Sequence, residues 1–214
     1  MINVLVVDDH DLVRTGIRRM LADVPGLSVV GEAGSGEEAL LRVRELKPDL
    51  VLMDVKMPGI GGLEATRKIN RSHPNIKVIA VTACDEEPFP SRLLQAGASG
   101  YLTKGAALEE MIKAIRQVFG GHRYISADIA QQLALKPFQP QGEVSPFEQL
   151  SEREMQIALM IAECQKVQAI SDKLCLSPKT VNTYRYRIFE KLDITSDVEL
   201  AMLAVRHGMV DVDS

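Results

Sequence analysis

Two short aliphatic runs in this chain end on carboxylates. Ile2-Asn3-Val4-Leu5-Val6-Val7 runs into Asp8 and Asp9, and Leu50-Val51-Leu52-Met53 runs into Asp54. Short, nearly continuous apolar runs predict strands covered on both faces, as in a parallel sheet flanked by helices. Further runs at Leu27–Glu32, Val78–Thr82 and Gly100–Leu102 bring the expected strands to five. Between them lie amphipathic helical patterns at Asp11–Ala22, Gly36–Glu45, Gly62–Ser72, Pro88–Gln95 and Leu108–Phe119. Five βα units in succession predict an α/β fold, a doubly wound five-stranded parallel sheet. Right-handed crossovers then place the ends of the first, third and fourth strands side by side. Asp8, Asp9, Asp54 and Thr82 should share one site, with Lys104 supplied from the end of the fifth strand.

The pattern changes beyond Gly120-Gly121, which breaks the last of these helices. A short helix is expected near Ser126–Leu135. Pro140, Gly142 and Pro146 then mark a stretch poor in aliphatic residues, which reads as a linker. From Leu150 strand signals vanish and four helices follow: Glu152–Glu163, Val167–Cys175, Pro178–Leu192 and Asp197–His207. Cap chemistry supports their starts, with Ser151 three residues before Glu154, Ser177 before Pro178, and Ser196. The expected organisation is a first domain over residues 1–120, a linker over 121–147, and an all-α four-helix domain over 148–214.

Composition narrows the classes. With 46% apolar residues in 214, the chain can fill two cores. No run of eighteen apolar residues exists, so no membrane span is expected. Asp8 and Asp9 come too early for a signal-peptide apolar region. Cys84, Cys164 and Cys175 are far apart and lack Cys-x-x-Cys spacing, which argues against zinc or a disulfide framework and fits a reducing cytoplasm. The net charge of −4 does not announce a nucleic-acid binder, although a local basic face can hide within it.

The chemistry of the first domain follows from the convergence of carboxylates. Three such groups cannot readily stay ionised together without a cation, and an all-oxygen surface site suits Mg²⁺. In this reading Asp54 is a nucleophile that accepts a phosphoryl group as an acyl phosphate. Asp8 and Asp9 hold Mg²⁺ with it, Lys104 pairs with a phosphoryl oxygen, and Thr82 offers a hydroxyl. The turn at Met57-Pro58-Gly59 brings the backbone of Lys56 near the metal. Taken singly, each residue has an ordinary reading: a strand-end Asp as a solvated terminus or helix cap, Lys104 as a surface lysine, Thr82 as a strand residue. An enzymatic alternative is a phosphatase or phosphotransferase of the haloacid-dehalogenase type, since Asp9-His10-Asp11 has the Asp-x-Asp spacing, but it leaves Asp54 unexplained.

Val-Asp-Asp-His at 7–10, Met-Asp-Val-Lys-Met-Pro-Gly at 53–59, Val-Thr-Ala at 81–83 and Gly-Tyr-Leu-Thr-Lys at 100–104 together resemble the flavodoxin-like receiver domain of two-component response regulators. The resemblance covers about residues 1–120. It implies a partner sensor histidine kinase that phosphorylates Asp54, and a switch in which Thr82 moves toward the phosphoryl group while Tyr101 turns inward. The plainer reading of Tyr101 is an edge-strand aromatic packed on the sheet. Gly105 stands where the family often has proline, which loosens the loop after Lys104.

In the second domain, Val167–Cys175, a tight turn and Pro178–Leu192 form a helix–turn–helix pattern, with Ala169, Ile170, Leu174, Leu176 and Val181 as its small core. The second helix carries Lys179, Thr180, Asn182, Thr183, Tyr184, Arg185, Arg187 and Lys191, against the single acid Glu190. A polar, cationic helix of this kind can enter the major groove of double-stranded DNA. The competing reading is a partner-binding module. Leu-Ser-Glu-Arg-Glu at 150–154, the stretch from Ile170 to Tyr184 and Lys-Leu-Asp-Ile at 191–194 resemble the LuxR/FixJ-type DNA-binding domain. Gln165-Lys166 replaces the glycine turn usual there. The final helix, with Val198, Leu200, Ala201, Leu203, Ala204 and Val205, resembles that family's dimerisation helix, its plainer reading being bundle core. The whole is similar to the NarL/FixJ subfamily of regulators and particularly to the GacA/UvrY group. That resemblance implies a hybrid sensor kinase of the GacS/BarA type and activation of small regulatory RNA genes. Phosphorylation at Asp54 is expected to favour a homodimer, and a dimer reading two half-sites calls for an inverted repeat.

Overall fold

The computed structural model describes residues 1–57, 59–82, 89–135, 145–174, 176–207 and 209–210. They form two compact units. The first contains β1 (Ile2–Val7), α1 (Asp11–Ala22), β2 (Leu27–Ala33), α2 (Gly36–Leu46), β3 (Leu50–Met53), α3 (Gly61–Ser72), β4 (Lys77–Thr82), α4 (Phe89–Gln95), β5 (Gly100–Thr103) and α5 (Leu108–Phe119). Every predicted strand and helix of this half is present, with ends moved by a residue or so.

The strands are all parallel, in the order β2-β1-β3-β4-β5-β6. The sixth, β6 (Tyr124–Ile125), corrects the expectation of five. It is followed by α6 (Ala127–Leu135), whose Ile129 is fully buried among residues of the first unit. The first unit therefore continues past residue 120, into the stretch that the sequence pattern gives to a linker. Two residues are too short to show a period of two, and a Gly-Gly pair just before them reads as the end of order rather than a pause in it.

Strand pleating explains why the sheet is apolar on both sides. In β1, Ile2, Val4 and Val6 pack with Ile17 and Leu21 of α1 and with Met111, Ile115 and Val118 of α5. Leu5 and Val7 turn the other way, onto Ala39 and Val43 of α2 and Ala65 and Ile69 of α3. A third cluster joins Ala80 of β4 and Tyr101 of β5 to Leu63, Leu93, Ala96 and Ile129.

The second unit is all helical: a 3-10 turn over Pro146–Gln149, then α7 (Glu152–Ala162), α8 (Val167–Leu174), α9 (Pro178–Leu192) and α10 (Asp197–Arg206). Ser151 forms a full capping box with Glu154, while Ser177 and Ser196 accept from the N–H groups of Thr180 and Glu199. All three caps stand where the sequence places them. Phe147, Ile157, Ile170, Val181, Ile188 and Leu200 are the fully buried centre of this unit. Among the described residues no helix is long and apolar enough to cross a membrane.

Candidate functional site

Strand register brings the carboxylates together. Val7 stands opposite Met53 across β1 and β3, and the ladder runs one step further, with the Asp54 N–H donating to the Val7 carbonyl at 2.8 Å. Asp8 and Asp54 thus emerge side by side at the carboxyl ends of neighbouring strands. The strand order reverses here, which opens the crevice where α/β sheets bind ligands. Asp8 and Asp54 are 2% and 3% exposed, whereas Asp9 is open to solvent. Ligand atoms from Asp8, Asp9, His10 and Asp54 all lie within 4.8 Å of one another.

Lys104 spans the two buried acids. Its Nζ lies 2.6 Å from Asp8 Oδ2 and 2.9 Å from Asp54 Oδ2. The other oxygen of Asp54, Oδ1, accepts from the Val55 N–H at 2.7 Å and the Lys56 N–H at 3.4 Å. Burial pushes the Asp54 carboxyl up to about 6, and the neighbouring Asp8 adds to this, against the hydrogen bond and charge of Lys104. For Lys104 burial works against the ammonium, but its hydrogen bonds to Asp8 and Asp54 win and hold it above the ordinary lysine range. A carboxyl destabilised by burial gains from any further cation placed beside it.

The donor set fits such a cation. Asp8, Asp9 and Asp54 offer hard carboxylate oxygens, the ligands that Mg²⁺ prefers, and Asp9 faces water. The backbone N–H of Lys56 lies 3.4 Å from Asp54 Oδ1. Pro58 of the expected Met57-Pro58-Gly59 turn lies outside the described residues. Thr82 stands at the end of β4 opposite Thr103, one residue before Lys104, and its side chain also lies outside the described residues. Tyr101 is fully buried in the Val55–Leu63–Ala80–Leu93 cluster. It is not an edge-strand aromatic, because β6 flanks β5.

Three contributors were missed in the sequence. His10 places Nδ1 2.9 Å from Asp9 Oδ1 and 3.2 Å from Asp8 Oδ1. Arg14 donates to the Asp8 carbonyl at 2.5 Å. Gly62 lets the first turn of α3 press on the backbone at Asp54: a Cβ there would stand 1.8 Å from the Asp54 carbonyl oxygen. The legible signals were the Asp-Asp-His sequence, a cation four residues on, and the Gly61-Gly62 pair. Asp11, the second acid of the phosphatase alternative, lies in the first turn of α1, 88% exposed on its side chain and paired with Arg14.

The second unit presents α9. Ser177 and Pro178 start it, and Ile170, Leu174, Leu176 and Val181 join α8 to it, with Ala169 half-buried at the margin. Of the eight residues picked out on α9, Lys179, Asn182, Thr183 and Arg187 lie on its open face. The Thr180 hydroxyl is 2.8 Å from Ser177 Oγ at the cap, and Tyr184 packs against the core. Arg185 and Lys191, two of the four cations expected to meet DNA, are tied to other helices. Arg185 is paired through both nitrogens with Asp197, and Lys191 Nζ is 2.6 Å from the buried Glu154. Tyr186, not anticipated, is 68% exposed beside Asn182 and Thr183. On α10, Leu200 and Ala204 are core, whereas Val198, Met202 and Val205 form an exposed apolar stripe at helical spacing.

The sequence pattern of the response regulator receiver domain matches residues 4–116, and that of the luxR family of bacterial regulatory proteins matches residues 148–204. The response regulator GacA of Pseudomonas viridiflava is 78% identical over 214 residues, the full length of both chains. The response regulator UvrY of Escherichia coli is 58% identical across this whole chain and 98% of its own. A crystal structure of a LuxR-family two-component response regulator from Aurantimonas is 39% identical, covers 65% of this chain and 99% of that one, and superposes with a TM-score of 0.62. Receiver register, acidic cluster and helix–turn–helix lead to one conclusion: the chain belongs to the two-component response regulators that carry a LuxR-type DNA-binding domain and regulate transcription.

Proposed function

We propose that Asp54 is the phospho-acceptor and that its phosphorylation switches the DNA-binding output. The observation that carries this reading is Lys104 spanning two buried carboxylates, Asp8 at 2.6 Å and Asp54 at 2.9 Å, at the mouth of the sheet. A carboxylate oxygen of Asp54 attacks the phosphorus of a phosphohistidine on a sensor histidine kinase. The P–N bond breaks, its electron pair stays on the imidazole, and a P–O bond forms to give an acyl phosphate. Asp8, Asp9 and Asp54, with the Lys56 backbone, would hold Mg²⁺. When bound, that ion offsets the charge of the carboxylates and of the incoming phosphoryl oxygens. Lys104 trades a carboxylate partner for a phosphoryl oxygen, and the Thr82 hydroxyl donates to another.

The new group carries close to two negative charges and strong acceptors, enough to favour one of two packings of the surrounding loops. Dimers then form through the Val198–Met202–Val205 stripe of α10, and Lys179, Asn182, Thr183, Tyr186 and Arg187 of α9 face the major groove. Two-fold symmetry of the protein calls for an inverted repeat in the DNA. Similarity to the GacA/UvrY group supports a cytoplasmic activator of small regulatory RNA genes.

The test is selection of genomic fragments by the protein with Mg²⁺, with and without a small acyl-phosphate donor, beside Asp54→Asn. Enrichment of a few promoter fragments on phosphorylation, absent in Asp54→Asn, is the expected result. Phosphorylated protein that enriches nothing would remove the transcriptional half of the reading.

A further inference from the structure

We infer that α6 is an output element of the receiver, with Ile129 the positioning residue that ties it to the packing of Tyr101. This rests on the phosphorylation-switch reading of Asp54. Tyr101 and Ile129 are both fully buried, in one cluster with Val55, Leu63, Ala80 and Leu93. Val55 directly follows the acceptor, and its N–H is held by Asp54 Oδ1 at 2.7 Å. The cluster thus runs without a break from the acceptor loop to α6. Ile125 and Leu133, four residues to either side of Ile129, pack against the same cluster.

The backbone follows the same path. Tyr101 stands opposite Ile125 in the β5–β6 ladder. The Tyr124 N–H donates to the Ser99 carbonyl at 3.1 Å and the Ser126 N–H to the Tyr101 carbonyl at 3.2 Å. The Ala130 N–H then donates to the Ser126 carbonyl at 2.9 Å, opening α6. A close-packed interior does not deform smoothly, so a change at Val55 or Tyr101 must repack what touches them. Ile129 shares their cluster, and in sequence α6 immediately precedes the stretch that joins the two units. The short β6 and α6 therefore form a mechanical route from the acceptor to the joining segment.

The experiment is hydrogen exchange on the full chain with Mg²⁺, with and without beryllofluoride as a stable phosphoryl mimic. It compares wild type, Ile129→Ala, Ile129→Val and Ile69→Ala, a cavity variant under α3 in a different cluster. In wild type, beryllofluoride should change exchange both near Asp54 and across α6, the latter by about fivefold or more, the lower range of site-to-site coupling. Ile129→Ala should keep the response near Asp54 and lose that of α6. Ile129→Val and Ile69→Ala should keep both. A wild type that responds near Asp54 but not in α6 overturns the inference and leaves the phosphorylation reading standing. So does an Ile129→Ala protein whose α6 responds as wild type, or an Ile69→Ala protein that loses the α6 response equally. Should Ile129→Ala fail to fold, Leu133→Ala takes its place with the same expected loss, and a retained α6 response there overturns the inference. No response anywhere, including near Asp54, removes the acceptor reading and this inference with it.

Discussion

Arg185 and Asp197 fasten the middle of α9 to the first turn of α10 by two hydrogen bonds, Nε to Oδ1 at 2.7 Å and Nη2 to Oδ2 at 2.6 Å. The guanidinium also lies 5.4 Å from the centre of the Phe189 ring. A cation of α9 is thereby a strut between helices. Both partners are partly open to solvent, so screening limits the pair to about 1 kcal/mol. A double-mutant cycle of Arg185→Ala and Asp197→Ala in urea unfolding should return coupling of that order. Arg185→Lys should not restore it, because an ammonium lacks the two-pronged geometry.

The same contrast separates struts from DNA contacts. Arg187→Ala should weaken DNA binding and lower the slope of log affinity against log salt by about one unit. Arg185→Ala should leave that slope nearly unchanged. Salt titrations of both variants on one DNA fragment check this directly.

Removing Lys104 leaves Asp8 and Asp54 buried without their shared cation. Lys104→Ala should destabilise the metal-free first unit by about 3 kcal/mol, the range for breaking a buried pair. Mg²⁺ should restore much of this, so the rise in melting temperature on adding Mg²⁺ should be larger in the variant than in wild type. An equal or smaller rise would mean that the ion does not bind beside these carboxylates.

Gly62→Ala tests the contact between α3 and the backbone at Asp54. With a Cβ 1.8 Å from the Asp54 carbonyl oxygen, the helix start or the strand end must move. The expected cost is about 1–3 kcal/mol, as for an overpacked core, together with slower phosphorylation by a small donor. Unfolding and single-turnover labelling measure the two effects separately.

Glu154 predicts the acid sensitivity of the second unit. Burial alone would raise its carboxyl, but hydrogen bonds from Lys191 and Ser151 prevail and hold it below its ordinary value of 4.5. A depressed carboxyl stabilises the fold fully above the unfolded value and loses that contribution as pH falls through the folded one. Stability should therefore decline below about pH 4.5, and Glu154→Gln should flatten that part of the profile. Chemical unfolding between pH 3 and 6 is the measurement.

The sheet and the acidic cluster were legible because their causes are local. Val7 and Met53 end apolar runs, and parallel register does the rest. The three serine caps were legible for the same reason. The roles of Arg185 and Lys191 were not, since Asp197 and Glu154 lie on other helices and nothing near α9 in sequence announces them. The full burial of Tyr101 was hidden likewise, because the strand beside it is only two residues long. Tyr186 carries no charge to announce it, although its three- and four-residue spacing from Thr183 and Asn182 marks it as their neighbour.

The short β6 has a consequence for how this chain can be divided. A fragment ending at Gly120 would strip the outer N–H and C=O groups of β5 of their partners and open the cluster that Tyr101 shares with Ile129. Such an edge invites strand addition from another molecule, the first step of aggregation. A fragment ending after Leu135 keeps that edge sealed. The natural place to cut this regulator lies behind α6, where two residues of strand still cover β5.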